Sequence, residues 1–280
     1  MTLPIVTLPD GTAVPALGLG TWHMGETAGR TAAEAAVLRE GIELGLSLID
    51  TAEMYADGGA ERVVAKAIEG WRERVFLVSK IMPQNASSAG IIRHCEASLK
   101  RLGTDYLDLY LLHWPGRYPL EQTIAAFEAL RAAGKTRRWG VSNFDTDEME
   151  EVLAAPEGHN CATNQVLYHP DERGIEFDLL PWCRRQKMPV MAYSPLGQAG
   201  SLLRSPALNA VAQRHAASPA QIAIAWSLRD GNTIAIPKSA DPAHLRENAQ
   251  AAAIRLSAAD LAEIDRVHKP PARKMSLGML

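Results

Sequence analysis

Leu46-Ser47-Leu48-Ile49-Asp50, Val75-Phe76-Leu77-Val78-Ser79-Lys80 and Leu107-Asp108-Leu109-Tyr110-Leu111-Leu112-His113 are three apolar runs that each end in an ionisable residue. Aliphatic runs of this length, without clean polar alternation, read as strands buried on both faces, as in a parallel sheet covered by helices. Outward from these three, the pattern repeats along the chain. Strands are predicted over Leu17–Gly20, Leu46–Asp50, Val75–Lys80, Tyr106–His113, Thr136–Ser142, Thr163–Tyr168, Val190–Tyr193 and Thr233–Ile236. Helices are predicted over Arg30–Leu44, with Ala33, Val37, Gly41 and Leu44 on one face, and over Ala60–Ile68, Ala89–Leu102, Leu120–Ala133, Thr146–Ala154 and Asp178–Gln186. Ser218 reads as the cap of a further helix, with Pro219 at its first position, running to Leu228; Pro242–Ala252 and Ala258–Val267 close the chain.

Strict alternation of strand and helix implies a parallel sheet, and eight repeats imply a closed (β/α)8 TIM barrel with its site at the carboxyl ends of the strands. The stretch Ile5–Val14 before the first strand reads as a hairpin, with Asp10-Gly11 supplying positive φ angles at the turn. It has no partner in the ring and is expected to plug the amino-terminal mouth. No composition break interrupts residues 1–280, so one domain is expected.

The chain is 47% hydrophobic with a net charge of −3, and its acids and bases are interspersed. That excludes the basic footprint of a nucleic-acid or anionic-membrane binder. Cys95, Cys161 and Cys183 are odd in number and irregularly spaced, which points to free thiols in a reducing compartment. No basic region followed by an apolar stretch opens the chain, and no apolar segment approaches ~18 residues. The reading is a soluble, cytoplasmic protein. The eight histidines show no metal-ligand spacing, and no Ser-His-Asp order or nucleophile elbow is present.

Asp50, Lys80 and His113 finish neighbouring strands, and Tyr55 follows five residues after Asp50. Each alone has a bland reading: a helix-capping acid, a snorkelling lysine, a core histidine, a loop aromatic. Together their chemistry is mutually explanatory. A phenol titrates near ~10; an adjacent ammonium lowers that value, and a carboxylate keeps the ammonium charged and fixed. An imidazole beside them orients a carbonyl oxygen. The set suits reduction of C=O or oxidation of CH–OH.

Two longer stretches carry a family resemblance. Gly45-Leu46-Ser47-Leu48-Ile49-Asp50-Thr51-Ala52-Glu53-Met54-Tyr55 and Leu102-Gly103-Thr104-Asp105-Tyr106-Leu107-Asp108-Leu109-Tyr110-Leu111-Leu112-His113-Trp114-Pro115 resemble the first and second signatures of the aldo-keto reductases. The resemblance covers nearly the whole chain. It implies a catalytic tetrad of Asp50, Tyr55, Lys80 and His113, with Tyr55 as proton donor, Lys80 and Asp50 as its tuners and His113 as carbonyl orienter.

The resemblance also implies a nicotinamide cofactor. Gly18-Leu19-Gly20-Thr21-Trp22-His23 begins like a dinucleotide fingerprint but lacks its third glycine and the acidic residue that closes such a unit. It reads instead as backbone room beside the pocket, and Gly20, Thr21, Trp22 and Asp50 join the cofactor set. The resemblance assigns Ser142, Asn143 and Gln165 to the carboxamide and Tyr193 to stacking on the nicotinamide. It assigns Ser194, Pro195, Leu196 and Gly197 to the pyrophosphate. Ile236, Pro237, Lys238 and Ser239 open the phosphate seat after the eighth strand, with Lys238 and Ser239 meeting the 2′-phosphate of NADP. Where the family expects an arginine, six residues after the lysine, this chain has His244; Glu247 and Asn248 match adenine-contacting positions. A neutral histidine is a weaker phosphate partner than a bidentate arginine. Asp241 would repel a phosphate or accept a bond from a ribose hydroxyl of NAD. NADPH is the expected cofactor, with use of NADH left open.

Trp22, Met54, Tyr55, His113 and Trp114 are expected to wall the substrate pocket, with His23 beside them. Met82 stands where many relatives carry a tryptophan. Met275, Leu277 and Met279 of the short tail Lys269–Leu280 can fold over the mouth. An open site of this kind suits small aldehydes and α-dicarbonyls of the methylglyoxal type, then sugar-derived ketones, handled by a monomer. Two rival readings stand. Lys80 as a Schiff-base lysine needs a depressed pKa, which Asp50 opposes. A non-catalytic nicotinamide-binding regulatory subunit has no need of an intact tetrad.

Overall fold

The ring of strands is closed by hydrogen bonds between its first and last members. In the computed structural model, which describes residues 3–280, eight parallel strands pair in chain order: β3 (Leu19–Gly20), β4 (Leu48–Asp50), β5 (Phe76–Ile81), β6 (Leu109–Leu112), β7 (Trp139–Ser142), β8 (Cys161–Leu167), β9 (Val190–Tyr193) and β10 (Thr233–Ala235). Leu17 then pairs with Ala235, and Gly20 with Lys238, both in parallel register. The N–H of Gly18 donates to the Ala235 carbonyl at 2.8 Å and that of Gly20 to the Pro237 carbonyl at 3.0 Å. A Cβ on Gly20 would lie 2.7 Å from the Ile236 carbonyl oxygen, and one on Gly18 would lie 2.8 Å from that of Leu48. The two glycines therefore let backbones approach, Gly20 across the closing seam and Gly18 against β4, and do not form a phosphate turn.

The barrel helices are α1 (Thr31–Glu43), α2 (Gly59–Ile68), α3 (Ser88–Leu102), α4 (Leu120–Ala132), α5 (Thr146–Ala154), α6 (Leu179–Arg185), α7 (Pro206–Arg214), α8 (Pro219–Ser227), α9 (Pro242–Ala251) and α10 (Ala258–Val267). Ser218 caps α8 in a reciprocal box with Gln221. Helix α7 has no counterpart in the sequence reading, although Ser205-Pro206 carries the serine-then-proline start signal. Five strands begin later than expected, β3 at Leu19, β4 at Leu48, β5 at Phe76, β6 at Leu109 and β7 at Trp139, while β8 begins earlier, at Cys161. Just before β6 the Asp108 carboxylate takes part in the ladder, accepting from the Leu77 N–H at 2.9 Å and pairing with Arg72 at 2.8 Å.

β1 (Ile5–Thr7) and β2 (Ala13–Pro15) form the expected hairpin. Its turn differs in one respect. Gly11 has φ +87°, but Asp10 does not take positive φ; its carboxylate accepts the Thr12 N–H at 3.0 Å instead. Val6, Leu8, Val14 and Ala16 from the hairpin pack with Leu48, Val78, Leu109, Leu111, Met191 and Ile234 in the lumen. The lower barrel is thus filled and plugged, which leaves the carboxyl-terminal mouth for chemistry. A larger apolar layer lies between the strands and the helix ring. Among the described residues no helix is long and apolar enough to cross a membrane.

Candidate active site

Lys80 is fully buried, and its ammonium spends all three protons inside the barrel mouth. Nζ donates to Asp50 Oδ2 at 2.6 Å, to the Thr51 carbonyl at 2.9 Å and to the Tyr55 hydroxyl at 3.2 Å. Asp50 and Lys80 sit on adjacent strands, β4 and β5, whose register brings the end of one beside the other. A charge this deep survives only when paired and fully hydrogen-bonded. Burial works to lower the lysine pKa, but Asp50 and the Tyr55 oxygen more than offset it, and the net shift is upward. An ammonium held this way excludes the depressed pKa that a Schiff-base lysine needs.

Tyr55 reaches Lys80 from the β4–α2 loop, where Ala56, Asp57 and Gly58 take φ +51°, +50° and +73° in succession. Positive φ at two non-glycine residues is strained and persists only where surrounding contacts hold it. The Tyr55 pKa departs from the sequence expectation. Burial raises it, Lys80 lowers it, Asp50 raises it again, and the net shift is upward. The lysine moderates a phenol that desolvation makes less acidic. At neutral pH the hydroxyl therefore carries its proton and can give it to an acceptor.

His113 follows β6 and meets the Tyr55 ring edge-on, with centroids 5.8 Å apart. Burial, then the Lys80 charge, holds the imidazole pKa down to about 2, so the ring is neutral. Nδ1 is buried without a hydrogen-bond partner. A neutral imidazole can offer one N–H to a carbonyl oxygen and adds no competing cation.

The remaining strands link into the same network. Gln165 donates to Asp50 Oδ1 at 2.7 Å, so its amide nitrogen is already engaged and its oxygen is the atom left for another group. Ser142 donates to the Gln165 carbonyl at 2.8 Å, and Asn143, at φ +61°, donates to the His113 carbonyl at 3.1 Å. The Tyr193 hydroxyl donates to Asn143 Oδ1 at 2.9 Å, and burial pushes its pKa up to about 12. Trp22, Met54, Trp114, Ser142, Asn143, Gln165 and Tyr193 share one cavity with Tyr55 and His113. Met82 does not line it. Neither do Met275 and Leu277, whereas Met279 and Leu280 do. The tail is held by Lys274, which lies 2.7 Å from Asp178 and 3.3 Å from Asp145, the residues that cap α6 and α5. Leu280 carried no signal in the sequence, because only the tail's path brings it to the cavity.

A groove continues outward past Trp22. Its walls are His23, Ser194, Pro195, Leu196, Gln198, Ala199, Pro237 and Lys238. His23 therefore lines this groove and not the inner cavity, and it pairs with Glu26 at 2.6 Å. Ser194 and Gly197 take φ +48° and +56°; Gly20 ends β3 paired with Lys238, and Thr21 after it donates to the Asp50 carbonyl at 2.9 Å. At the far end Lys238 is exposed and pairs with no acid among the described residues. Ser239 donates to the Asp241 carbonyl at 2.9 Å. Asp241 caps α9, accepting the N–H groups of Ala243 and His244 at 2.7 and 3.2 Å, so its carboxylate is committed to the helix. The His244 ring is exposed, Glu247 is half-buried and Asn248 buried, while Arg246 pairs with Glu40 at 2.5 Å. An aromatic face at Tyr193, a free amide oxygen at Gln165, a groove leading outward and a terminal cation fit a dinucleotide with a phosphate at its far end.

The sequence shows no Ser-His-Asp order, yet the fold brings Ser205, His268 and Asp171 into line. Ser205 Oγ lies 2.6 Å from His268 Nε2, and His268 Nδ1 lies 2.5 Å from Asp171 Oδ1. Ser205 and His268 are buried away from the catalytic mouth, and the trio ties α7, α10 and the β8–α6 loop together. Among the described residues no cluster suited to a metal ion occurs.

The sequence matches the aldo/keto reductase family over residues 16–269. It is 54% identical to the methylglyoxal reductase YeaE of Escherichia coli (strain K12) over 284 residues, covering 100% of both chains. It is 36% identical to the glyoxal reductase of Bacillus subtilis (strain 168), covering 94% of this chain and 92% of that one. A crystal structure of an aldo/keto reductase from Klebsiella pneumoniae in complex with NADP and acetate superposes with a TM-score of 0.97 at 52% identity, covering 100% of both chains.

Proposed function

The chain belongs to the aldo/keto reductase family, and from that premise we propose that it reduces small aldehydes and α-dicarbonyls of the methylglyoxal type with NADPH. The observation that carries the proposal is the Lys80 ammonium, ion-paired to Asp50 at 2.6 Å and 3.2 Å from the Tyr55 hydroxyl on the wall of the cavity. Relatives at 54% and 36% identity bear the names methylglyoxal reductase and glyoxal reductase.

In this reading the cofactor, when bound, supplies a hydride to the carbonyl carbon. Tyr55 gives its proton to the carbonyl oxygen, so that C=O becomes CH–OH, and the phenolate left behind is stabilised by the Lys80 ammonium. Asp50 keeps that ammonium in place and charged. Neutral His113 orients the carbonyl oxygen toward the phenol. Ser142, Asn143 and the Gln165 oxygen hold the carboxamide, the Tyr193 ring supports the nicotinamide, and the segment Ser194–Gly197 lines the pyrophosphate. Lys238, Ser239 and His244 face the 2′-phosphate, and Glu247 and Asn248 the adenine. The cavity walls carry no cation, while Trp22, Met54, Trp114, Met279 and Leu280 supply an apolar rim. This favours small neutral carbonyls over carboxylate-bearing ones. The same reading holds the protein as a cytoplasmic monomer of one domain over residues 1–280; all three cysteines are free and buried.

The test is NADPH oxidation followed at 25 °C with methylglyoxal, glyoxal, simple aldehydes and keto sugars, with sedimentation equilibrium for the oligomeric state. Turnover is expected with the dicarbonyls first and the keto sugars last. A purified, folded protein that binds NADPH and oxidises it with none of these carbonyls would overturn the assignment.

A further inference from the structure

Glu53 lies between Asp50 and Tyr55 on the β4–α2 loop, and its carboxylate points away from the cavity. It is nearly fully buried, and its oxygens accept three hydrogen bonds, two from the neighbouring β5–α3 connection and one from α3. Oε1 takes the Met82 N–H at 2.8 Å and the Asn85 amide at 3.0 Å, and Oε2 lies 2.7 Å from His94 Nδ1 on α3. Its own N–H donates to the Lys80 carbonyl at 3.3 Å. Met82 is two residues beyond Lys80, and Glu53 is two residues before Tyr55. We infer that Glu53 is a positioning residue, a brace that fixes the distance between the Tyr55 hydroxyl and the Lys80 ammonium. The inference rests on the reductase reading, because that distance is what the proposed acid step depends on.

The need for a brace follows from the backbone. After Tyr55 the chain runs through three successive left-handed residues, Ala56, Asp57 and Gly58. Between Asp50 and Tyr55 the loop has no other side chain engaged in a hydrogen bond among the described residues: Thr51 Oγ1 is buried without a partner, and Ala52 and Met54 have nothing to offer. Without Glu53 only the Lys80 ammonium itself and single backbone bonds would join the two loops. A buried carboxylate accepting three bonds is geometrically restrictive, because losing one partner leaves charge-assisted donors unsatisfied. The groups that face it are His94 from α3, Asn85 and the Met82 N–H from the β5–α3 connection, and the Tyr110 hydroxyl from β6, whose pKa is raised first by burial, then by Cys95 and then by Glu53. Displacement of ~1 Å at a proton donor is enough to lower a rate by about a hundredfold.

The experiment compares Glu53→Ala and Glu53→Gln with the wild type. Glutamine keeps an acceptor for Met82 and Asn85 and is expected to hold kcat for methylglyoxal within about threefold. Alanine is expected to lower kcat by ten- to a hundredfold, with NADPH Kd within twofold, and to increase the isotope effect from C4-deuterated NADPH. A second readout does not need turnover. In protein labelled at the tyrosine Cζ carbon, the Tyr55 resonance, identified by its loss in Tyr55→Phe, should titrate at higher pH in Glu53→Ala than in the wild type, because a displaced ammonium no longer moderates the phenol. Glu53→Gln should titrate with the wild type. A Tyr55 titration unchanged in a folded Glu53→Ala protein overturns the brace, whether or not the wild type reduces carbonyls. Loss of kcat equal in both variants would also overturn it, by showing that charge and not geometry matters.

Discussion

At the ends of β4 and β5, Asp50 and Lys80 are shut off from water and share a 2.6 Å ion pair. Just before α9 and in its first turn, Lys238 and His244 stand exposed, and among the described residues no carboxylate pairs with their side chains. The first region is over-determined: six strands contribute to one hydrogen-bonded network, in which Asp50, Tyr55, Lys80, Ser142, Asn143, Gln165 and Tyr193 bond through their side chains and His113 through its carbonyl. The second is set by a helix cap, Asp241, and by side chains free to choose partners. Buried networks define what reaction is available and tolerate little change. Exposed charges near a helix amino terminus decide among closely related ligands and change at small cost.

Removing the proton donor tests the buried side of this contrast most severely. Tyr55→Phe keeps the ring and its edge contact with His113 while deleting the proton. Carbonyl reduction is expected to fall by about 10²–10⁴-fold, with NADPH affinity within twofold by fluorescence titration. Activity near wild type would move the acid role elsewhere. Because burial raises the Tyr55 pKa, and Lys80 only partly counters it, the hydroxyl stays protonated through neutral and mildly alkaline pH. Reduction should hold up across that window and alcohol oxidation should need more alkaline solution.

The second probe asks whether the buried region carries its own pH signature. The folded-state pKa of His113 is depressed to about 2, first by burial and then by Lys80, against an unfolded value near ~6.5. A depressed value means that the unfolded chain binds the proton more readily. The stability associated with this group is therefore fully present above the unfolded pKa and is lost as pH falls below it. Between pH 6.5 and 5 the loss is about 2 kcal/mol, at about 1.4 kcal/mol per unit. Urea melts at pH 7 and 5 should show the wild type losing about that much more stability than His113→Gln. Equal losses would mean that the imidazole is hydrated in solution and the mouth less closed than its burial indicates.

Most of the buried region is legible in the sequence, and the reasons are local. Asp50, Lys80 and His113 each end an aliphatic run, and a two-sided buried strand is recognisable from its own residues. The same holds for Ser218-Pro219 at the head of α8. What the sequence does not display depends on surroundings. The direction of the Tyr55 shift turns on the balance between desolvation and one ammonium, and only the assembled mouth sets that balance. Glu53 reads as one more residue of a signature stretch until Met82, Asn85 and His94 are seen around it. Helix α7 was marked by Ser205-Pro206, but its apolar face is short and follows a loop with Gln198 and Ala199 at positive φ. The Ser205–His268–Asp171 line depends on contacts across 63 to 97 residues of chain, and the place of Leu280 in the cavity on residues as distant as Trp22, which no local pattern encodes. For the exposed loop the sequence names the residues, while their preference among cofactors depends on solvent-screened charge.

His244→Arg probes that preference where folding is least involved. The ring is exposed, and only the backbone N–H of residue 244 is engaged, by the Asp241 cap, so the substitution leaves the start of α9 intact. Two N–H groups that bond the Asp241 carboxylate lower its pKa, those of His244 first and Ala243 second, so an anion remains beside the proposed phosphate seat at all working pH. Lys238 has to outweigh that anion with little help from a residue 244 side chain that lacks a guanidinium's bidentate donor pair. A guanidinium adds a permanent charge and a bidentate donor pair. At an exposed site this is worth on the order of 1 kcal/mol, about fivefold in Kd. NADPH should therefore bind about fivefold more tightly to His244→Arg, with NADH within twofold, and the gain should shrink at 1 M salt, where the Debye length is about 3 Å. A gain of the same size for both cofactors would show that residue 244 touches the adenosine and not the 2′-phosphate, and the contrast between a fixed mouth and a phosphate-reading rim would then have to rest on Lys238 and Ser239 alone.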